Sequence, residues 1–270
     1  MSWLIAAGLG VLIGVALGAL GGGGSILTVP VLVYLLGQSP QEATSASLVI
    51  VGVTSIISAV HHTRSGNVRW RLGAAFAAAG IAASFAGTAL NASVDGAVIL
   101  IAFAAVMVIS SASMLWRTRT HRSAGRNADQ SDSSEVVDPA KKTGSPSSSL
   151  RARALKVIVA GLVVGFLTGF LGVGGGFVIV PALVAALGFA MPTAVGTSLL
   201  IIALNSSVSL VARAGSNHFD WGIIIPFTLA AILGSFMGKA VADRLPARLL
   251  TRIFALLLLV VAAYVVIEAI

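Results

Sequence analysis

Apolar residues fill this chain in long blocks, and polar residues are confined to the gaps between them. Residues 2–20 contain no charged side chain, and similar blocks follow at 43–62, 73–90 and 96–116. After a polar stretch the pattern resumes at 154–171, 193–213, 223–241 and 250–270. At 1.5 Å per residue, blocks of this length predict helices crossing a hydrocarbon core about 30 Å thick. Two further blocks, 26–37 and 177–189, are too short to cross and predict half-helices. No period-two alternation marks the strands of a membrane barrel. The expected fold class is an all-α polytopic membrane protein.

Each half-helix follows a break. "GALGGGGSILTVPVL" (18–32) and "TGFLGVGGGFVIVPAL" (168–183) interrupt apolar sequence with glycine runs and a proline, the two poorest helix formers. The two stretches belong to a larger repeat. A shift of 151 positions superimposes 14–90 on 165–241 without a gap, with roughly a third of positions identical. Pro30 meets Pro181, Ser47 meets Ser198, Ser55 meets Ser206, and Trp70 meets Trp221. The expected organisation is a first repeat over 1–116, a linker over 117–153 and a second repeat over 154–270. The linker is rich in Ser, Asp, Lys and Arg, a composition that buries too little surface to fold.

Charge sets the orientation. Lys and Arg mark cytoplasmic connectors, which places the linker and the basic connector 61–71 inside. The matching connector 214–221 carries one Asp and no Lys or Arg, which places it outside. The halves are then inverted relative to each other, with both termini outside. The first apolar block lacks a basic leader region and its counterpart recurs mid-chain, so it is expected to stay in the mature protein.

Composition adds exclusions. Of the 270 residues, 57% are hydrophobic and only 10% charged, against about 25% charged in soluble domains. The net charge of +8 resides mostly in connectors such as 116–122 and 151–156, so nucleic acid is not an expected partner; the lipid bilayer is. The absence of cysteine rules out disulfides and thiolate metal sites. No P-loop, H-E-x-x-H or G-x-S-x-G pattern occurs, so neither an enzyme nor a bound cofactor is expected.

Inverted repeats with discontinuous helices are the architecture of secondary transporters. Broken backbone is tolerated at membrane depth where it is buried in protein or lines a cavity. A helix starting there aims unpaired N–H groups and a positive dipole end at that cavity, which makes an anion cradle. Gly22, Gly23, Gly24 and Ser25, with Ser25 as N-cap, and Gly174, Gly175 and Gly176 are the candidate cradle. Hydroxyls and one amide on the following helices, Ser47, Thr54, Ser55, Ser198, Asn205 and Ser206, are candidate oxyanion ligands. Ser47, Thr54, Ser55 and Ser58 fall broadly on one helical side. Helix–helix hydrogen bonding is the competing role for each of them.

Gly8, Gly10, Gly14 and Gly18 read instead as close-packing positions, and Pro30 and Pro181 as shape in the first turns of the half-helices. "SPQE" (39–42) reads as a capping box, which assigns Glu42 to structure. His61 and His62 end a span and read as interfacial. Lys239 and Arg213 are the candidate charge partners, Lys239 with the alternative of snorkelling to the cytoplasmic surface.

With glycine loop, proline, serine-rich helix and repeat in both halves, the chain resembles the TauE/SafE sulfite exporter family, the TSUP permeases. The resemblance implies a permease of the bacterial inner membrane, in a family associated with sulfite, sulfonates and other small organosulfur anions; a secondary transporter that exports such anions is the expected function, with a coupling proton or ion as a candidate partner. Related thiosulfate permeases rely on cysteines, and this sequence has none. A passive anion channel is the alternative that the same dipole-lined site would serve. Association into a homo-oligomer is left open.

Overall fold

The computed structural model describes residues 2–91, 93–94, 96–128, 146–171, 176–212 and 219–269. The first half contains α1 (Ser2–Leu20), α2 (Gly23–Pro30) with a π-helical turn at Val31–Leu35, α3 (Pro40–Arg64), α4 (Trp70–Asn91) and α5 (Gly96–Ala128). The second contains α6 (Pro146–Leu171), α7 (Gly176–Ala185), α8 (Met191–Ala212), α9 (Trp221–Arg244) and α10 (Ala247–Ala269). Five segments, Glu42–Arg64, Trp70–Leu90, Met191–Val211, Trp221–Arg244 and Ala247–Tyr264, are long and apolar enough to cross a membrane. The protein is an all-α polytopic membrane protein. α5 and α6 extend into the polar stretch between the halves, whose residues 129–145 lie outside the described ones.

Local chemistry sets the helix ends. Glu42 N–H donates to Ser39 Oγ (3.4 Å) and Ser39 N–H to Glu42 Oε2 (3.2 Å), with Pro40 at the first helical position. This is the expected capping box of α3. α1 ends where Gly21 adopts φ +70, a backbone that side chains with a Cβ rarely accept. α2 then starts at Gly23, three residues before the expected 26, with Gly22 at its N-cap position and no side-chain cap. Ser25 is therefore inside the first turn, and its hydroxyl donates to the Gly22 carbonyl (2.7 Å) instead of capping. Pro30 closes α2 and Pro181 lies inside α7, so neither sits in a first turn. Pro30 has no N–H to continue the α-helical ladder, and the next turn widens, with Leu36 N–H reaching the Val31 carbonyl (3.2 Å).

Packing is dominated by two equivalent seams. In α1, a Cβ on Gly10, Gly14 or Gly18 would strike backbone of α9 at Phe227, Ala231 and Ser235 respectively. In α6, the counterparts Gly161, Gly165 and Gly169 lie against Phe76, Gly80 and Ser84 of α4. Each pair shifts onto the other by the 151-residue repeat, with the halves exchanged. Residue numbers rise together along both seams, so α1 runs parallel to α9 and α4 parallel to α6. The first helix of each half thus packs on the fourth helix of the other. Gly8 differs from its neighbours: a Cβ there would meet no atom within 4 Å, so it is no packing residue.

The repeat partners α3 and α8 run antiparallel. Gly52 faces Ser206, whereas Asn67 and His62 lie against Gly196, and Arg69 N–H donates to Thr197 Oγ1 (3.2 Å). α1 and α3 run the same way, since His62 Nε2 donates to the Gly18 carbonyl (3.3 Å). The tight connector Ser65–Arg69 then turns α4 back.

The seams predict a contrast between two glycines of one helix. Gly14→Ala forces a methyl into the Ala231 backbone and should lower stability by about 1–3 kcal/mol, the usual cost of overpacking. Gly8→Ala, facing open space, should leave stability unchanged or raise it by up to about 1 kcal/mol through helix propensity. Thermal denaturation of the detergent-purified variants measures both; equal losses would place α1 elsewhere.

Candidate functional site

The two half-helices begin against each other. Any side chain on Gly22 would collide with the Gly176 carbonyl, and one on Gly176 would collide with Ser25 Oγ. Ser25 and Gly176 are counterparts under the 151-residue shift, so the point where the halves mirror one another lies between them. A side chain at 176 would displace the Ser25 hydroxyl from its place, so the repeat carries Ser at one position and Gly at the other. α2 starts at this junction, and the first N–H groups of a helix lack intrahelical partners.

Beside the junction lies a cavity of about 1020 Å³ bounded by α2, α3, α4, α5, α6, α8 and α10. Its polar lining comes from both halves: Ser25, Thr44 and Ser47 from the first, Asn205, Ser206 and Ser209 from the second. Ser206 is buried, and the Asn205 amide oxygen has no hydrogen-bond partner among the described residues. Ser47 is more constrained, with its hydroxyl donating to the Thr44 carbonyl (2.7 Å). Toward the mouth the wall becomes apolar and exposed, at Leu35, Phe85, Val260 and Tyr264.

Of the residues expected at the site, Ser25, Ser47, Asn205 and Ser206 line this cavity. The others divide by local geometry. Gly22 and Gly24 are spent on backbone approach, Gly22 to Gly176 and Gly24 to Ile13 and Leu17 of α1. Gly23 begins α2. Ser198 is buried beside Gly21 and donates to the Val195 carbonyl (2.8 Å). Thr54 sits under α1 and α9 among Ile13, Leu17 and Ala231. Ser55 and Ser58 are buried without a hydrogen-bond partner among the described residues, and neither lines the cavity. The stripe that begins at Ser47 therefore leaves the cavity two turns further along α3. Gly174, Gly175 and Arg213 lie outside the described residues.

Lys239 does not reach the cavity. It is buried near the end of α9, pairs with Asp243 one turn on, and neighbours His62. His62 is buried rather than interfacial, because the C-terminal end of α1 covers it. Sequence reasoning missed Ser84, Thr88 and Thr168, which also line the cavity. Ser84 was detectable as half of the recurring Ser-Phe pair at 84–85 and 235–236. Its counterpart Ser235 packs on Gly18 instead, so the repeat alone could not say which copy faces the cavity.

A helical membrane bundle with broken helices meeting at the junction of two repeated halves, beside a cavity of ligand size, defines a membrane transporter. The family model described as "Sulfite exporter TauE/SafE" matches residues 6–265. The chain belongs to the TauE/SafE sulfite exporter family. It is 32% identical over 268 residues to a "Probable membrane transporter protein" of Xylella fastidiosa (strain 9a5c), covering 98% of this chain and 95% of that protein. It is 25% identical over 277 residues to "Probable membrane transporter protein YunE" of Bacillus subtilis (strain 168), covering 100% and 99%. No solved structure matches this chain.

The geometry ranks the hydroxyls. With sulfite as probe, Asn205→Ala and Ser206→Ala should each weaken binding about tenfold, as for one hydrogen bond to a charged group, roughly 1.5 kcal/mol. Ser198→Ala should leave affinity within about twofold, because that hydroxyl is committed to its own helix. Calorimetry on monodisperse protein reads the order; a reversed ranking would move the site to the α8 N-terminal half.

Proposed function

We propose that this protein is a secondary transporter of the bacterial inner membrane that exports sulfite or related small organosulfur anions. It works by alternating access around an anion site at the junction of the two half-helices. One observation carries the reading: polar groups from both halves line a single cavity beside the two helix starts. A rearrangement that closes the mouth and opens the opposite end would expose the same groups to the other side. The halves are inverted in this reading. The antiparallel course of the counterparts α3 and α8, and the meeting of Ser25 with its own counterpart Gly176, support that inversion.

With the basic connector 61–71 inside, the cavity opens on the extracytoplasmic side. Its lining comes from the ends of α3, α4, α8 and α10 remote from that connector. Toward the cytoplasm, Gly18, His62, Gly196 and Asn67 pack against one another. A wall there disfavours a passive anion channel, which needs a path open at both ends. The polar stretch 117–153 is read as a cytoplasmic tether joining the halves, and both termini lie outside.

Two experiments test this. Reporter fusions should place 129–145 in the cytoplasm and the C-terminus outside; a cytoplasmic C-terminus would mean parallel halves and would defeat the mechanism. Proteoliposomes loaded with sulfite should accelerate uptake of labelled sulfite, giving a transient overshoot above equilibrium. Monotonic equilibration without an overshoot would identify a channel.

A further inference from the structure

A second crevice lies between α1, α3 and α9, and it is too tight for a water molecule. Five of its seven lining residues, Gly14, Leu17, Val51, Thr54 and Ala231, correspond under the 151-residue shift to Gly165, Thr168, Ile202, Asn205 and Gly80. All five counterparts line the open cavity. The crevice is therefore the cavity's own repeat copy, closed. The half-helices differ in the same sense. Ile26, Leu27 and Val29 of α2 border the open cavity, whereas their counterparts Phe177, Val178 and Val180 of α7 are buried in the core.

The correspondence extends toward the end that carries connector 61–71. Ser206 and Ser209 of the cavity correspond to Ser55 and Ser58, and Ser84 and Thr88 to Ser235 and Lys239. The copies fall on two stripes with one-turn spacing, Thr54–Ser58–His62 on α3 and Ala231–Ser235–Lys239 on α9. Both stripes run from the crevice toward the ends of their helices. Thr54, Ser55 and Ser58 are each at most 3% exposed, and their hydroxyls have no hydrogen-bond partner among the described residues. A buried hydroxyl left unpaired costs free energy that alanine at the same position would avoid.

The two copies differ in charge at one position. Thr88 borders the open cavity, and Lys239 stands in its place on the closed side. The Lys239 side chain is 5% exposed and pairs with Asp243, whose side chain is 52% exposed. That carboxylate has water to turn into, which frees the ammonium for another anion.

We propose that the crevice opens toward the cytoplasm as a second anion site, in which Lys239 and the Ser55 and Ser58 hydroxyls bind a small oxyanion, and that Asp243 takes the anion's place while the site is closed. The site rests on the transport reading above and adds the loading end of the path to it. An oxyanion fits because the ammonium and both hydroxyls donate hydrogen bonds and it offers several acceptor oxygens.

Two measurements test this. The chain has no cysteine, so Ser58→Cys and Ser209→Cys each carry a single thiol. A charged, membrane-impermeant maleimide should reach Ser209→Cys from the outer face of right-side-out vesicles, and Ser58→Cys from the cytoplasmic face of everted ones. A Ser58→Cys thiol that reacts in denatured protein but from neither face of the membrane, or from the outer face only, overturns the proposal. Side-specific kinetics then test the cation. In everted vesicles Lys239→Met should raise KM for sulfite about tenfold, through loss of one charge-assisted hydrogen bond. In right-side-out vesicles its KM should stay within about twofold. Asp243→Asn should lower KM in everted vesicles, since the competing carboxylate is gone. Equal KM changes on both faces, or the same loss in both variants, would make Lys239 and Asp243 a structural pair and overturn the site while leaving the transporter in place. Wild-type vesicles without sulfite flux in either orientation overturn the transporter reading, and the site with it.

Discussion

Where α1 stops at Leu20 and α2 starts at Gly23, peptide groups lose their helical partners at a depth where lipid offers none. The rest of the structure follows from satisfying them within protein. Gly21 N–H returns to the Leu17 carbonyl (2.8 Å), and the Gly22 carbonyl receives the Ser25 hydroxyl (2.7 Å). The positive φ at Gly21 turns the chain back. α2 then starts against Gly176 of α7, with the cavity beside that contact. The break thus needs a partner surface, and the second half supplies it.

Exchanged packing accompanies that dependence. α1 rides along α9, and α6 along α4, while the break after α1 meets the start of α7. Glycine at every fourth position makes this approach close enough for backbone to touch backbone. In lipid, such van der Waals contact replaces the hydrophobic drive that would join helices in water. The symmetry is nevertheless incomplete where function requires difference. Ser25 faces Gly176, Thr54 corresponds to Asn205, and Ser84 lines the cavity while Ser235 packs. The buried pair His62 and Lys239 occupies one end alone, and the cavity lies toward the other.

Much of this was legible in the amino-acid order. Span positions, the half-helices, the α3 capping box and the α1 glycine seam from Gly10 to Gly18 follow from hydrophobic length and local propensity, which are properties of single segments. Which hydroxyls face a cavity is not such a property. Ser47 and Thr54 share a stripe of α3, yet only Ser47 borders the cavity, because α1 and α9 cover the helix further on. Ser198 looked equivalent to Ser47 by repeat, but lies beside Gly21 with its hydroxyl on Val195. The burial of His62 was likewise hidden, since only the end of α1 creates it. Long-range crossing angles decided each of these.

Alternate opening of the two ends is the central claim, and the absence of cysteine makes it directly measurable. Spin labels on Leu35→Cys and Tyr264→Cys bracket the cavity mouth, and labels on Ser65→Cys and Arg244→Cys bracket the opposite end. Pulsed dipolar distances should shift in opposite senses when saturating sulfite is added, the mouth pair shortening in the population where the other pair lengthens. Distances that stay fixed at both ends while sulfite demonstrably crosses the membrane would contradict alternating access and leave a static pore.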